Sequence, residues 1–155
     1  MCMNGDRLWM RFTVVNKYNA TRSIYDGYLW DSSLELDFYK RLQIATTYDK
    51  DSDVKVVVKP TIIIKPECKV FGARKWKCDF RLVSGRKYIN VEVKGLLTRD
   101  FVIMFELFEY ANPIQFEKTY IASENEDVRK KYAKLGSRFI WLPDRDGSFV
   151  NPNNW

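Results

Sequence analysis

The stretch from Trp76 to Lys94, W-K-C-D-F-R-L-V-S-G-R-K-Y-I-N-V-E-V-K, constrains the fold of this chain more than any other. Cys78, Phe80 and Leu82 alternate with Lys77, Asp79 and Arg81; Ile89, Val91 and Val93 alternate with Asn90, Glu92 and Lys94. Such alternation is the signature of half-buried strands. Ser84-Gly85-Arg86-Lys87 between them predicts a tight turn, of type II′ if Gly85 takes the first central position of a two-residue loop. That loop sets Ser84 opposite Lys87 and carries the ladder on until Asp79 faces Glu92, with Lys94 on the same face. Like charges placed opposite each other destabilise a hairpin. A divalent cation between them removes the penalty, because Mg²⁺ takes carboxylate oxygens. A lysine beside such a cation can hold a water or a charged phosphate oxygen. The same pattern also describes a solvated hairpin face of mixed charge, so the rest of the chain has to decide.

Absence narrows the chemistry. The chain has no histidine, which excludes Ser-His-Asp and Cys-His hydrolases in their usual form and zinc sites built on imidazole. Acid–base or metal chemistry must rest on Asp, Glu, Lys, Tyr or Cys. Cys2, Cys68 and Cys78 form no C-x-x-C pair, against a disulfide framework or a cysteine-rich zinc site; buried Cys78 reads as a core thiol. The net charge of +6 favours polyanionic partners. At 155 residues one domain is expected, with a motif-bearing core over about 17–142 and a loose tail over 143–155. No apolar run predicts a membrane span, and M-C-M-N-G-D-R-L-W-M-R has no signal-peptide core, so a cytoplasmic location is expected.

Along the chain, Leu8–Val15 reads as a strand and Ser23–Trp30 as a hairpin turning at Asp26-Gly27. Leu34, Phe38 and Leu42 recur at helical spacing behind Ser32-x-x-Glu35, a capping box that also explains Glu35 without any function. Val54–Val58 and Thr61–Ile64 are β-branched runs broken by Pro60: an edge strand, or two strands with a bend. From Lys65 to Lys77 basic residues interleave with Phe71 and Trp76, as on a nucleic-acid surface or a solvated loop. Thr98 or Asp100 caps a helix bearing Phe101, Met104, Phe105 and Phe108, ended by Pro113. Thr119–Ala122 is a strand, Ser123–Leu135 a helix opened by Ser123-x-x-Glu126 and stopped at Gly136, and Arg138–Leu142 a last strand. Antiparallel strands followed by β-α-β units predict an α+β (α/β) fold, a mixed central sheet flanked by helices.

The ordered set Glu35, Asp79, Glu92-Val93-Lys94 resembles the active site of the PD-(D/E)XK nuclease superfamily. Lys17-Tyr18-Asn19-Ala20, Asp26-Gly27, Asp31-Ser32-Ser33-x-Glu35, Asp79-Phe80 and Val91-Glu92-Val93-Lys94-Gly95 resemble a family of small phage and prophage endonucleases catalogued as a domain of unknown function. Holliday-junction resolvases share the layout. The resemblance implies a restriction-endonuclease-like core and hydrolysis of DNA with Mg²⁺ or Mn²⁺. It implies metal ligation by Asp79, Glu92 and the Val93 carbonyl, with Glu35 completing the shell or holding a second ion, and a catalytic Lys94. Cys78 stands where the superfamily's proline would be. The helix after Lys94 offers Ile103, Met104, Phe105 and Glu106 where related families carry a further Lys, Arg or Gln, leaving Arg99 as the nearest cation. Lys17, Arg22, Arg74, Lys75 and Lys77 are the expected backbone contacts. Contacts of that kind position a substrate without reading bases, which favours branched, flapped or junction DNA over a sequence-specific duplex. Resolving a junction takes two cuts, so a homodimer is expected for that substrate. The alternative is a non-catalytic nucleic-acid-binding or phage assembly module on a nuclease fold.

Overall fold

The computed structural model describes residues 21–48 and 52–155. Lys17 and the strand expected over Leu8–Val15 lie outside the described residues. The chain forms two compact units, divided in sequence between Arg41 and Leu42.

In the first unit, strands β1 (Ser23–Tyr25) and β2 (Tyr28–Trp30) pair antiparallel, with Tyr25 facing Tyr28. Asp26 and Gly27 both take positive φ, 53° and 78°, as a type I′ hairpin turn requires, so the expected hairpin is present. Trp30 is fully buried, stacks on Tyr39 at 4.6 Å and donates its indole N–H to the Tyr25 carbonyl at 3.1 Å. Helix α1 (Ser33–Tyr48) starts where the capping box places it and crosses the division between the units.

The second unit is an α+β fold around a five-stranded mixed sheet. Its strands are β3 (Lys55–Val58), β6 (Phe80–Ser84), β7 (Lys87–Val93), β8 (Thr119–Ser123) and β9 (Phe139–Trp141), in that spatial order. β6 runs antiparallel to both of its neighbours, β3 and β7, whereas β8 pairs parallel with β7 and β9 parallel with β8. Strands β4 (Thr61–Lys65) and β5 (Arg74–Lys77) form a two-stranded sheet of their own. The parallel strands are linked through helices α2 (Arg99–Ala111), α3 (Pro113–Phe116) and α4 (Glu126–Lys131). From α2, Phe101, Phe105 and Phe108 enter a core with Ile62, Ile64, Phe116, Ile121, Val128 and Tyr132. Among the described residues no helix is long and apolar enough to cross a membrane.

The sequence pattern misleads at three places. Trp76–Leu82 alternates as one strand would, but the chain leaves the β4–β5 ribbon after Lys77 and enters the central sheet only at Phe80. The helix expected over Ser123–Leu135 is shorter. Asn125, not Ser123, caps α4 by accepting from Asp127 N–H and Val128 N–H, and Ala133–Arg138 continues as 3₁₀ turns. Ser123 is engaged elsewhere, donating to the Lys94 carbonyl. The segment after Pro143 folds into 3₁₀ turns with Val150 buried, and Lys87 Nζ donates to the Pro152 carbonyl at 3.1 Å. Its polar side chains build this order: Asp146 and Asn151 accept from Ser148 N–H and Asn153 N–H, and Asn154 and Trp155 donate to the Ser148 and Phe149 carbonyls.

Candidate active site

Two features of the sheet set up the site. β7 lies between β6 and β8 and is covered on both faces, so Ile89 through Val93 are all buried, polar Asn90 and Glu92 included. β3–β4 and β5–β6 make one long hairpin in a constant register until Ile63, broken only at Lys59-Pro60 against Cys78-Asp79. Two backbone bonds bridge the break: Lys59 N–H donates to the Asp79 carbonyl at 2.8 Å and Cys78 N–H to the Pro60 carbonyl at 3.0 Å. Pro60 has no N–H to donate, which fits a bend between two sheets. Outward of the bend the hairpin becomes the β4–β5 ribbon.

The tight turn of the β6–β7 hairpin is as expected. Ser84 faces Lys87, Gly85 has φ 57° and Arg86 no positive φ, the combination of type II′. The paired ladder ends with Phe80 opposite Val91, one step short of Asp79 and Glu92. Asp79 thus stands at the bend, and its side chain does what backbone would otherwise do. Asp79 Oδ2 accepts from Val93 N–H at 2.8 Å. Asp79 Oδ1 accepts from Lys59 Nζ at 2.9 Å, and Glu92 Oε1 pairs with Lys94 Nζ at 3.1 Å. Lys94 also lies 4.2 Å from the centre of the Phe101 ring at the start of α2. Asp79 and Glu92 are each 5% exposed, whereas the lysine side chains reach solvent at 26% and 22%. Two buried carboxylates are matched by two half-buried ammoniums, so the formal charge of the cluster is zero.

Cys78 reports the closeness of the acids. Its thiol donates to the Val91 carbonyl at 3.3 Å. Burial pushes its pKa well above the ordinary thiol range, and the charges of Glu92 and then Asp79 push it further. A thiol so held is neither nucleophile nor ready metal ligand.

Among the described residues no three Asp, Glu, His or Cys side chains converge into a metal cluster. Asp79 and Glu92 nevertheless form a donor set of the kind Mg²⁺ accepts, since that ion keeps several waters and is held by one or two carboxylates. Glu35 belongs to the first unit. Its carboxylate closes the capping box, accepting from Asp31 N–H at 3.4 Å and Ser32 Oγ at 3.3 Å, while Ser32 Oγ accepts from Glu35 N–H at 3.2 Å. Arg22, in the same unit, pairs with Asp31 at 3.1 Å. Arg74, Lys75 and Lys77 are all exposed on β5, and Arg99 is exposed at the start of α2. Lys59 is the residue that sequence reasoning missed. Val58-Lys59-Pro60 signals a bend, but no turn motif between β4 and β5 fixes the register that sets Lys59 across from Asp79.

The family model described as "Protein of unknown function (DUF1064)" matches residues 15–133, a span that includes Asp79, Glu92, Lys94 and Lys59. No curated protein matches the chain.

Proposed function

We propose that the chain, which belongs to the DUF1064 family, is a metal-dependent endonuclease of the PD-(D/E)XK type that hydrolyses phosphodiester bonds in DNA, with branched or junction DNA as its preferred substrate. The observation that carries this reading is the buried pair Asp79 and Glu92, each with its own lysine, at the end of a central strand and two residues from an exposed basic ribbon.

Asp79, Glu92 and the Val93 carbonyl would hold Mg²⁺ or Mn²⁺. The bound cation would supply Lewis acidity and a water of lowered pKa. Val93 N–H fixes the orientation of the Asp79 carboxylate through Oδ2, and Lys94, braced by Glu92 and the Phe101 ring, presents its ammonium to the charge that grows on phosphate oxygens. Lys75 and Lys77 hold the sugar–phosphate backbone on the ribbon's outer side, and exposed Arg74 adds a contact from the end of β5.

The test is incubation with labelled four-way junction, flap, single-stranded and linear duplex DNA in Mg²⁺, Mn²⁺ or EDTA. Metal-dependent cutting is expected, strongest on branched DNA, and reduced more than about 100-fold in Glu92→Gln and Asp79→Asn, beyond the loss that removing a supporting partner brings. A second reading, a non-catalytic nucleic-acid-binding module, is favoured by the lysines that already neutralise both acids. It predicts binding that survives Glu92→Gln and no cutting in any metal.

A further inference from the structure

Lys59 is held in an unusual way. Its φ of 52° lies in the left-handed region, which residues with a Cβ seldom occupy. Asp79 grips it twice, through its carbonyl on Lys59 N–H at 2.8 Å and through Oδ1 on Lys59 Nζ at 2.9 Å. The two oxygens of the Asp79 carboxylate are therefore held by partners of different kinds. Oδ2 rests on the Val93 amide, which is part of central strand β7. Oδ1 rests on an ammonium carried by a flexible four-carbon stem, at the more exposed side of the pair.

We propose that Lys59 is a resident counter-ion: it pairs with and orients the buried Asp79 carboxylate in the metal-free protein, and a divalent cation displaces it from Oδ1. The inference rests on the reading of Asp79 as a metal ligand. A buried carboxylate without a counter-charge is costly, and a doubly charged ion at the same oxygen attracts it more strongly than an ammonium does. The Val93 amide keeps the carboxylate in place while its cation is exchanged. Once released, the Lys59 ammonium stands at the mouth of the site, where it suits the anionic phosphodiester that follows the metal.

The test is calorimetric titration of Mn²⁺ into the full chain without nucleic acid. The proteins are wild type, Lys59→Met, Lys59→Gln, Lys59→Arg and Lys55→Met, the last removing an exposed charge from β3 away from the acids. Removing the competing ammonium is expected to tighten Mn²⁺ binding at least about tenfold in Lys59→Met and Lys59→Gln. Lys59→Arg, which keeps the cation, and Lys55→Met are expected to stay within about twofold of wild type. The gain in melting temperature on adding Mn²⁺ should be larger for Lys59→Met than for wild type. If Lys59→Met does not fold, Lys59→Gln decides, because its amide can still donate to Oδ1. Wild-type affinity in both uncharged variants, or an equal gain in Lys55→Met, overturns the counter-ion role and leaves the metal site standing. No Mn²⁺ binding by any of the five overturns the metal site and the counter-ion together.

Discussion

The inner and outer halves of the long hairpin share one register and differ in everything else. Inward of Lys59-Pro60, β6 joins the central sheet, and Phe80 and Leu82 are fully buried. Outward, β5 pairs with β4 alone and exposes Arg74, Lys75 and Lys77, while half-buried Trp76 packs edge-on against Phe101, Phe105 and Phe108. Register is therefore not what divides them. The division lies in what each half is joined to: a further paired strand, β7, for the inner half, and one aromatic helix face for the outer. At their junction the backbone ladder lapses, and there a carboxylate side chain can take up a strand amide.

The anchoring of the outer half gives the largest expected effect. Phe105 touches Trp76, Phe101, Phe108, Phe116 and Tyr132, so Phe105→Ala should lower unfolding free energy by about 3–5 kcal/mol in a denaturant titration. Trp76→Ala should separate the two halves: amide exchange in β4 and β5 quickens while β6 and β7 stay protected. Equal loss of protection in both would mean that the halves unfold as one. The outer face should matter for binding and not for stability. Lys75→Ala with Lys77→Ala should leave stability within about 0.5 kcal/mol and shallow the salt dependence of DNA binding by roughly one per lysine. An unchanged slope would take the ribbon out of the interface. The smallest effect is chemical. In a Cys2→Ser background a thiol reagent should modify Cys68 at once, because it is exposed and its pKa is lowered by the Phe71 backbone and the Lys65 ammonium. Cys78 should react only on unfolding. Its early modification would show that the junction opens by itself.

What could be read in advance follows from how local each signal is. Gly85 fixed the β6–β7 turn, Asp26-Gly27 the small hairpin, and Thr98 the start of α2, where its hydroxyl accepts from Phe101 N–H at 3.4 Å. Asp79, Glu92 and Lys94 come together at the end of β7 because that turn counts the ladder for them. The break at Cys78-Asp79 was not legible, since apolar and polar residues keep alternating straight through it. Lys59 was hidden for a related reason: its partner lies 20 residues away, across a loop without a turn signature. Ser123 showed a capping motif, but its oxygen accepts from Asn125 N–H at 3.0 Å while its hydroxyl donates to the Lys94 carbonyl, and Asn125 supplies the cap two residues on.

The left-handed backbone at Lys59 also bears on how related sequences diverge. Glycine is the residue most at ease with φ near 52°, and drift at this position toward glycine eases the backbone while it deletes a charge. A relative with glycine there has kept the bend and given up the cation. A relative with lysine or arginine there carries a charge at a position where glycine would ease the backbone. Position 59 is therefore a place to compare homologues by whether their bend carries a cation.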